Sequence, residues 1–409
     1  MIARGRLLAV HEATAEAALP LAAVGDIVRV QTARAVVAAR VIAVRAENVR
    51  LAPFDALDGA AAGDLVCSDP RGDTHVLGTA LLGRAIDANG TALDGGPPPV
   101  GLERCVTGGE DGEPLSPDRP LWTGVRAIDA LLTIGRGARV GIFAPAGAGK
   151  STLLRAMVRG VRADAVVVGA VGERGREAGE WIAACDARTT VICARGDHPP
   201  AQRVRAAHLA VAQACALRAH GLDVLLVLDS LARVAYAMRE LAVAAGESLG
   251  RGGYPAATPA LLARLVERAG VRRSGSVTLI ATVLSDGDPR DPVCEIARSL
   301  LDGHIELDPA LASRGRFPAI AVGASASRTM HAVVAPAHRE AAAAVRGALA
   351  ALDACADLRS VGMMPHDPLA LRALAAEEAL EEFLRQGPEV ADPQGTLSEL
   401  QVLADMVKG

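Results

Sequence analysis

The stretch RVGIFAPAGAGKSTLLRAMVRG, residues 139–160, decides the fold class of this chain. Its apolar start, Arg139–Phe143, predicts a short buried strand. Its second half, Ser151–Gly160, predicts a helix with one apolar face and a closing glycine. The turn between them is rich in glycine and ends in Gly149-Lys150-Ser151. Strand, glycine-rich loop and helix in this order are typical of a phosphate-binding loop.

Lys150 supports a phosphate-binding role because lysine is rare in this chain. Lysine and arginine together number 43, and only Lys150 and Lys408 are lysines. A position that remains lysine against this bias needs a compact, flexible ammonium, because the planar fork of arginine does not fold into a phosphate cradle in the same way. The chain is therefore expected to be a nucleoside triphosphatase.

Each residue of the loop has an expected contact with ATP or Mg²⁺. The glycines let backbone N–H groups point at phosphate oxygens, Lys150 reaches the β- and γ-phosphates, and Ser151 binds Mg²⁺. The strict pattern G-x-x-x-x-G-K-[ST] fails at one position, where Ala144 replaces the first glycine, so a plain Gly/Ala turn is the alternative. The residues expected to contact the nucleotide here are Ala146, Gly147, Ala148, Gly149, Lys150, Ser151 and Thr152.

Three regions follow from the apolar pattern along the 409 residues. Residues 1–70 hold short β-like runs between Gly, Asp and Ala turns, which predicts a small β-barrel. Residues 71–335 alternate strands and helices, which predicts a mostly parallel, helix-covered sheet. Residues 336–409 are alanine-rich and predict helices, including Ala375–Arg385. The expected class is α/β, with a RecA-like phosphate-loop ATPase core between an N-terminal β-barrel and a C-terminal helical domain.

The individual strands are expected wherever short apolar runs lie between turn residues. In the barrel these are Arg6–Ala9, Ile27–Val30, Ala35–Val44 and Val49–Leu51, and in the central region Val140–Phe143, Ala165–Ala170, Thr189–Ala194, Val224–Leu228 and Val277–Leu284.

Composition argues against several classes of protein. Hydrophobic residues make up 51% of the chain but aromatic residues only 2%, so the core must consist largely of Ala, Val and Leu. The net charge of −4 gives no general attraction to nucleic acid or an anionic membrane. No apolar run approaches the ~20 residues that a helix needs to cross a bilayer. The seven cysteines include no C-x-x-C pair, which is typical of buried thiols in a reducing cytosol.

A second group of polar residues follows two of the expected strands. Glu173 lies in the run GERGRE, residues 172–177, at the edge where ligands bind in open α/β sheets. A carboxylate there can orient the water that attacks the γ-phosphorus, although a solvated charge cluster is the alternative on these residues alone. Asp229 ends the run VLLVL, residues 224–228, which is the usual place of a second Mg²⁺ anchor in phosphate-loop enzymes.

These motifs, in this order, resemble the type III secretion ATPases, relatives of the catalytic and non-catalytic subunits of rotary ATP synthases. The resemblance runs along nearly the whole chain. It is most specific in VGERGRE (171–177), LDSLARVAYAMRE (228–240) and DPVCEIARSLLDGHIEL (291–307). Further matching stretches are LLGRAIDANGTALDG (81–95), TGVRAIDALLTIGRG (123–137), GYP (253–255), LVERAG (265–270) and FPAIAVGASASR (317–328).

The resemblance implies a role for each matched residue around the phosphates. Glu173 would be the catalytic carboxylate, with Arg174 on the phosphate side and Glu177 as a partner in the Mg²⁺ shell. Asp229 would be the second Mg²⁺ anchor, and Arg233 would neighbour the phosphates.

The resemblance also implies a base site and a working assembly. Phe317 would stack on adenine, as an aromatic ring can. Arg328 would be an arginine finger supplied by the neighbouring subunit, a role worth roughly 10³–10⁵ in rate in other phosphoryl-transfer enzymes. The working form would then be a homohexameric ring.

The expected function is an ATP-driven component of a protein-export machine at the cytoplasmic face of the inner membrane. It would release chaperones from exported proteins or unfold them. Its expected partners are other copies of itself, a central stalk protein, a stator or regulator protein, secretion chaperones, export substrates and a membrane-embedded export gate.

Three alternatives differ in class or in machine. A ring-shaped nucleic-acid translocase needs stacking aromatics and basic residues in its N-terminal barrel. Residues 1–100 hold one aromatic, Phe54, and nine Arg against eleven Asp plus Glu, so 9 − 11 = −2. A rotary ATPase subunit alternates with a second chain, whereas Glu173 and Arg328 lie on one chain here. Between a virulence injectisome and a flagellum, the sequence at 248–252 and the front of the loop favour the injectisome.

Overall fold

The computed structural model describes residues 3–46, 48–108, 112–145, 147–284, 291–356, 358 and 363–408, without the side chain of Arg251. Its contacts divide the chain into two compact units. The first unit comprises Met1–Gly112, Ala165–Leu222 and Leu226–Arg268, and the second comprises Glu113–Asp164, Asp223–Leu225 and Ala269–Gly409. The boundaries expected from the sequence, 1–70, 71–335 and 336–409, remain a prediction.

The strands within the described residues are β1 Arg4–Val10, β2 Ala15–Ala18, β3 Ile27–Gln31, β4 Val36–Arg45, β5 Asn48–Pro53, β6 Leu65–Ser68, β7 Thr74–Val76, β8 Arg84–Asp87, β9 Glu103–Cys105, β10 Pro120–Leu121, β11 Ile134–Gly135, β12 Arg139–Ala144, β13 Ala165–Glu173, β14 Thr189–Arg195, β15 Asp223–Asp229, β16 Gly270–Arg272, β17 Gly275–Leu284, β18 Gly303–Glu306 and β19 Ala326–Ser327.

The helices are α1 Arg126–Leu131, α2 Lys150–Gly160, α3 Gly175–Ala183, α4 Pro200–Ala219, α5 Leu231–Ala245, α6 Thr258–Val266, α7 Pro292–Leu300, α8 Pro309–Ser313, α9 Met330–Val333, α10 Pro336–Ala354, α11 Pro368–Ala375, α12 Glu377–Leu384 and α13 Pro393–Lys408. Short 3-10 turns occupy Thr79–Leu81 and Arg251–Gly253. No helix among the described residues is long and apolar enough to cross a membrane.

The first unit begins with a closed barrel in the strand order β1-β2-β5-β4-β3-β6. Alternate residues of these strands point inward, so that Leu7, Val28, Val41 and Leu51 form its core. The predicted barrel is confirmed. Three of its four predicted runs lie within a strand, and the fourth, Ala35–Val44, begins one residue before β4. The sequence reading missed β2 and β6, because runs as short and alanine-rich as AEAA carry little alternation of apolar and polar residues.

The rest of the first unit contains the parallel strands β13 and β14, with β8 parallel to β14 on the other side. Helix α4 packs against β13 and β14 and is buried around most of its circumference, because small alanines allow close approach on every side. At Gly169 an added Cβ would lie 2.9 Å from Ala210 of α4, so glycine is required there for close packing.

The second unit places β12 between two parallel neighbours, β17 and β18. All but the first residue of β12 are fully buried, as expected for a parallel strand covered on both faces. Helix α2 is the next element after β12 and begins at the end of the intervening loop. It buries Leu153, Leu154, Met157 and Val158. The predicted order of strand, loop and helix is therefore confirmed.

The C-terminal part of the second unit is helical, from α10 to α13, as predicted. The run expected as one helix, Ala375–Arg385, is divided between two helices. Helix α11 ends at Ala375, and α12 begins at Glu377. Ala376 joins them with its N–H bonded to the carbonyl of Arg372. Alanine-rich sequence cannot mark this break, because alanine favours helix equally on both sides of it.

Candidate functional site

The loop between β12 and α2 holds two glycines in the left-handed conformation just before a helix begins. Gly147 and Gly149 have φ angles of 82° and 86°, which other L-residues rarely adopt. A Cβ added at either glycine would meet no described heavy atom within 4 Å, so both face open space. The N–H groups and the dipole at the start of a helix favour an anion at this position. Lys150 and Ser151 begin the helix here and are half-buried.

The missing first glycine of the loop has a structural explanation. Ala144 is still part of β12, where it pairs with Leu284 of β17 and is fully buried. The left-handed conformation occurs only later, at Gly147 and Gly149, so the position of Ala144 needs a small residue and not a glycine. Ala148 is also buried, and its N–H donates to the carbonyl of Pro145 at 3.4 Å. Ala146, also expected at the nucleotide, lies outside the described residues.

A cavity of about 270 Å³ adjoins this loop within the second unit. Gly149 and Thr152 line one side of it, and Phe317 lines another with half of its surface exposed (51%). Two of the residues predicted to contact the nucleotide in the loop, and the residue predicted at adenine, thus line one cavity. An exposed phenylalanine in a cavity wall offers a flat apolar face to a planar ring.

The opposite wall of this cavity was missed by the sequence reading. It consists of Gln386, Gly387 and Pro388, far along the chain in the connection between α12 and α13. The Gln386 N–H donates to the carbonyl of Phe317 at 2.8 Å, and its side-chain amide donates to the carbonyl of Gly124 at 2.7 Å. These hydrogen bonds hold residues 386–388 against the cavity that Phe317 lines. Nothing in the local pattern around Gln386 signals them.

The segment that Gln386 contacts is itself held by a buried carboxylate. Asp129 of α1 accepts hydrogen bonds from the N–H groups of Thr123 and Gly124 at 2.8 and 2.9 Å. Burial raises the pKa of Asp129 to about 6, although these hydrogen bonds act in the opposite direction. The Asp129 contacts therefore fix the backbone at Gly124, whose carbonyl accepts the hydrogen bond from the Gln386 side-chain amide.

Glu173 occupies a protected position at the end of β13 in the first unit. Only 1% of it is exposed, and one carboxylate oxygen lies 3.1 Å from the guanidinium of Arg233. The same guanidinium donates to the carbonyl of Gly172. Gly172 has a φ of 72° at an irregularity in the pairing with β14, which turns the strand end toward Arg233. The solvated-cluster alternative is therefore wrong for Glu173.

The structure separates Glu173 from its charged neighbours in GERGRE. Arg174 is exposed at the position just before α3, and Glu177 is half-buried in the first turn of that helix. Arg176 points to solvent and pairs with Glu180 one turn later at 3.2 Å. Of this run, only Glu173 has its carboxylate fully protected from water.

Asp229 and Arg233 lie on either side of the start of α5. Asp229 ends β15, which is adjacent to β13 in the sheet order, and it is 1% exposed. Ser230 caps α5 by accepting from the N–H of Arg233 at 3.3 Å. This cap places Arg233 in the first turn of α5. The sequence motif suggested that Arg233 neighbours the phosphates, and in this chain its described contacts are with Gly172 and Glu173.

Arg328 has a different environment, in the second unit directly after β19. Its N–H donates to the carbonyl of Asp302 at 2.9 Å, which fixes the backbone. Its side chain is exposed and makes no hydrogen bond or ion pair with any residue that the structure describes. It does not line the cavity that contains Phe317.

Family models and known proteins match the chain over most of its length. The nucleotide-binding domain of the ATP synthase alpha/beta family matches residues 124–327, and the T3SS EscN ATPase C-terminal domain matches residues 334–402. A type 3 secretion system ATPase of Sinorhizobium fredii is 40% identical over 410 residues, which cover 97% of this chain and 91% of that protein. This chain belongs to the type 3 secretion ATPase family. The predicted family resemblance is confirmed.

Other members of the wider family are also similar to this type 3 secretion ATPase. A flagellum-specific ATP synthase of Salmonella typhimurium is 43% identical over 344 residues, covering 80% of this chain and 75% of that protein. A solved structure of the assembled ATPase EscN from enteropathogenic E. coli covers 98% of this chain and 100% of that one, with a TM-score of 0.92 and 35% identity. Its complex with the central stalk EscO gives a TM-score of 0.89.

These findings confirm the predicted fold class and the predicted enzyme class. The chain is an ATPase with a nucleotide substrate, and its family acts in type 3 secretion.

Proposed function

We propose that this chain hydrolyses ATP with the loop residues Gly147–Thr152 on the phosphates and Phe317 on the adenine. The observation that carries the proposal is the cavity that joins Gly149 and Thr152 to Phe317 at the start of α2. Lys150 neutralises the β- and γ-phosphates, while the glycines present backbone N–H groups and Ala148 is proposed to contact the nucleotide as part of the same loop. Ala146 belongs to the same proposed phosphate loop.

We propose Mg²⁺ as the metal, because the candidate ligands are all hard oxygen donors. The Ser151 hydroxyl and the Asp229 carboxylate would hold it, with Glu177 as a partner in its shell. When bound, the ion neutralises charge that develops on the phosphate oxygens. The burial of Asp229 at a strand end supports this assignment, since a carboxylate without exposure to water favours a cationic partner.

Glu173 is the proposed catalytic carboxylate, which accepts a hydrogen bond from the attacking water and orients it toward the γ-phosphorus. Arg233 orients the carboxylate through its ion pair with Glu173 and is itself held by its hydrogen bond to the Gly172 carbonyl. Arg174, exposed just after Glu173, is proposed on the phosphate side. All of these groups lie at or just beyond strand ends, where ligands bind in open α/β sheets.

Arg328 is proposed to act on the ATP of a neighbouring copy. An exposed arginine with no described partner is available to an adjacent subunit, where it would stabilise the charge of the transferring phosphoryl group. Such a contact joins two different surfaces and closes into a ring. A homohexamer is the ring that we propose.

Mixing two inactive variants tests this arrangement. Glu173→Gln and Arg328→Ala are each expected to lose activity alone. In mixed rings, an interface that pairs an intact Glu173 with an intact Arg328 from the next copy regains activity. Random mixing in equal amounts should restore about a quarter of the interfaces, because each needs the correct chain on both sides. The readout is steady-state ATPase rate per chain.

The control is each variant re-mixed with itself under the same conditions. Co-assembly is verified with two fluorescent labels, so that a failure to mix is recognised. Mixed rings that form but hydrolyse no more ATP than the separate variants would overturn the proposal that Arg328 acts in trans.

We propose that the machine served is an injectisome, with a flagellum as the second candidate. The match of residues 334–402 to the EscN C-terminal domain supports the first candidate, and the 43% identity to a flagellum-specific ATP synthase supports the second. A central stalk protein is the proposed partner inside the ring, since EscN was solved with its stalk EscO. The other proposed partners are a stator or regulator protein, secretion chaperones, export substrates and the membrane-embedded export gate.

Deletion of the gene in its host distinguishes the two machines. Loss of effector secretion with normal swimming supports the injectisome, and loss of motility with normal secretion supports the flagellum. The proposed place is the cytoplasmic face of the inner membrane, without a nucleic-acid partner. RNA should therefore leave the ATPase rate unchanged, and a several-fold stimulation by RNA would contradict this part of the proposal.

A further inference from the structure

A second cavity, of about 230 Å³, lies within the first unit between the barrel and helices α4, α5 and α6. It is separate from the loop and cavity described above, and none of the proposed catalytic or nucleotide-binding residues lines it. Its walls are mainly apolar, with Ile42 and Phe54 on the barrel side and Met238 and Leu241 on the helix side.

Small side chains leave this space open. Ala52 on the barrel faces Ala201 at the start of α4, and Ala242 and Ala245 occupy the adjoining part of α5. Larger residues at these positions would fill the gap between the barrel and the helices. The apolar part of such a cavity accepts an apolar guest, as an engineered cavity of about 150 Å³ accepts benzene.

A buried hydroxyl in the cavity wall lacks a partner. Thr258 begins α6 and is fully buried (0% exposed), and its Oγ1 makes no hydrogen bond with any described residue. Buried polar atoms in native structures nearly always have a partner, because an unsatisfied one is costly. An acceptor oxygen on a bound molecule would satisfy this hydroxyl.

A cation without a described partner also lines the cavity. Arg40 on β4 is half-buried, and its guanidinium forms no ion pair or hydrogen bond with the residues that the structure describes. The other arginine in the wall, Arg205, is already paired with Asp73 at 2.6 Å. Burial, together with the nearby charge of Arg40, lowers the pKa of His208 to about 4, so this imidazole is neutral at pH 7. Glu247, the carboxylate in the wall, is exposed.

We propose that this cavity binds a small monocarboxylate with an apolar body. The body lies against Ile42, Phe54, Met238 and Leu241, while the carboxylate pairs with Arg40 and accepts from the Thr258 hydroxyl. The volume sets the size of the guest: scaled from the benzene cavity, 230 Å³ holds roughly nine non-hydrogen atoms. A straight-chain or aromatic acid of that size has the required chemistry.

Helix α5 connects this cavity to the proposed catalytic carboxylate, Glu173. Arg233, in the first turn of α5, contacts Glu173, and Met238, Leu241, Ala242 and Ala245 of the same helix line the cavity. A bound acid therefore touches the element that orients Glu173.

Calorimetric titration of the full chain with octanoate, below its micellar concentration, tests the proposal. Octanoate has about ten non-hydrogen atoms, close to the capacity of the cavity. We expect one saturable site per chain and a rise in melting temperature. Arg40→Gln should weaken octanoate binding about ten-fold, since a charge-assisted hydrogen bond is lost. Arg34→Gln, which removes an exposed arginine of the barrel outside the cavity, should not weaken it.

Two further measurements separate binding in the cavity from effects on folding. Thr258→Val keeps the volume and removes the unpartnered hydroxyl. The free chain should therefore melt at an equal or higher temperature, while octanoate binds several-fold more weakly. Octan-1-ol, which carries no charge, should bind the wild type and Arg40→Gln equally.

Three results would overturn the proposal. The first is the absence of saturable octanoate binding up to millimolar concentration. The second is an equal effect of Arg40→Gln and Arg34→Gln on affinity. The third is unchanged binding in Ala242→Phe, provided that this cavity-filling variant is folded by circular dichroism.

Discussion

Glu173 and Arg328 are both proposed to act on the γ-phosphate, yet the chain holds them in opposite ways. Glu173 is buried at the end of a long parallel strand, and Arg233 of the same unit pairs with its carboxylate. Arg328 follows a two-residue strand and is held only through its backbone, with an exposed side chain. The Glu173 carboxylate is positioned by a side chain of its own chain, whereas the Arg328 guanidinium extends into solvent.

This difference indicates which part of the site a single subunit can complete. A buried charge needs its partner at once, because an unpaired charge away from water is unfavourable. An exposed charge remains solvated at little cost until an incoming surface desolvates it. The side chain of Arg328 can therefore remain exposed in a single subunit, whereas the carboxylate of Glu173 needs a partner from its own chain. Substitutions at Arg328, Glu173 and Arg233 separate these two arrangements.

Arg328→Ala should give the largest loss of activity and almost no loss of stability. Removal of an arginine finger lowers the rate roughly 10³–10⁵-fold. The free energy of unfolding should change by less than about 0.5 kcal/mol, because an exposed side chain without a described partner is removed. Steady-state ATPase assays and urea denaturation measure the two effects.

The matched control for this prediction is Arg314→Ala, another exposed arginine of the second unit. It should leave both activity and stability unchanged. Marked destabilisation by Arg328→Ala would show that the Arg328 side chain stabilises its own subunit. Arg328 would then not differ from Glu173 in the way described above.

Glu173→Gln should lower the turnover number about 10²–10⁴-fold, the range lost with a positioned general base. ATP binding should persist, because the phosphate loop and Phe317 are unchanged. Unlike Arg328→Ala, it should also alter the unfolding free energy, by about 1 kcal/mol, since the ion pair with Arg233 is lost.

Glu180→Gln provides the control for this variant, because it changes a carboxylate on the neighbouring helix α3. Binding of a fluorescent ATP analogue and single-turnover hydrolysis measure the two steps separately. Near-wild-type turnover in Glu173→Gln would remove Glu173 from the mechanism.

Arg233→Lys should have a smaller effect, a decrease in the turnover number of roughly ten-fold. Lysine keeps the charge but lacks the rigid, planar guanidinium, whose Nη1 contacts both the Gly172 carbonyl and the Glu173 carboxylate. The Michaelis constant should change little if Arg233 orients Glu173. A large rise in that constant with an unchanged turnover number would place Arg233 on the nucleotide instead.

Asp73→Asn should leave the ATPase rate per folded chain intact and affect stability alone. Burial by itself would raise the pKa of Asp73, but hydrogen bonds from His75 and Arg205 and the charge of Arg205 lower it to about 2. A folded pKa below the unfolded value of about 3.9 stabilises the protein above pH 4, and this contribution is lost as the pH falls from about 4 to 2.

The shift corresponds to roughly 2–3 kcal/mol at pH 7, which Asp73→Asn should lose. Urea denaturation at pH 7 and pH 3 should show a smaller difference between wild type and variant at the lower pH. The control is Asp197→Asn, which breaks an exposed pair with Arg195 and should cost less than about 0.5 kcal/mol. A difference that does not depend on pH would exclude a stabilising charge on Asp73.

Much of the fold could be predicted because apolar runs report burial directly. Val224–Leu228 is such a run, and the strand found there is Asp223–Asp229. Strand β8, the four residues RAID, escaped prediction because it is too short to show a period, and its pairing with β14 depends on residues about a hundred positions away. The break between α11 and α12 was also invisible, since helix propensity is the same on both sides of it.

The candidate site divides in the same way. Gly147, Gly149, Lys150 and Ser151 lie in one continuous motif, so their spacing alone indicates a phosphate loop. The wall made by Gln386 lies some seventy residues beyond Phe317, and only folding brings their backbones within 2.8 Å. The sequence therefore indicates the residues proposed to bind the phosphates and the base, but not the segment that lines the cavity beside Phe317.

By itself, the sequence determined the phosphate loop, the order of strands and helices, and the identity of the charged residues at strand ends. These features depend on neighbours along the chain, whose conformational preferences and spacing are written in the residues themselves. Only the tertiary structure decided that Arg233 holds Glu173, that Arg328 has no described partner, and that alanines leave a cavity beside the barrel. Those outcomes depend on which distant surfaces meet and on which polar atoms lose water when they do, and no local pattern records that.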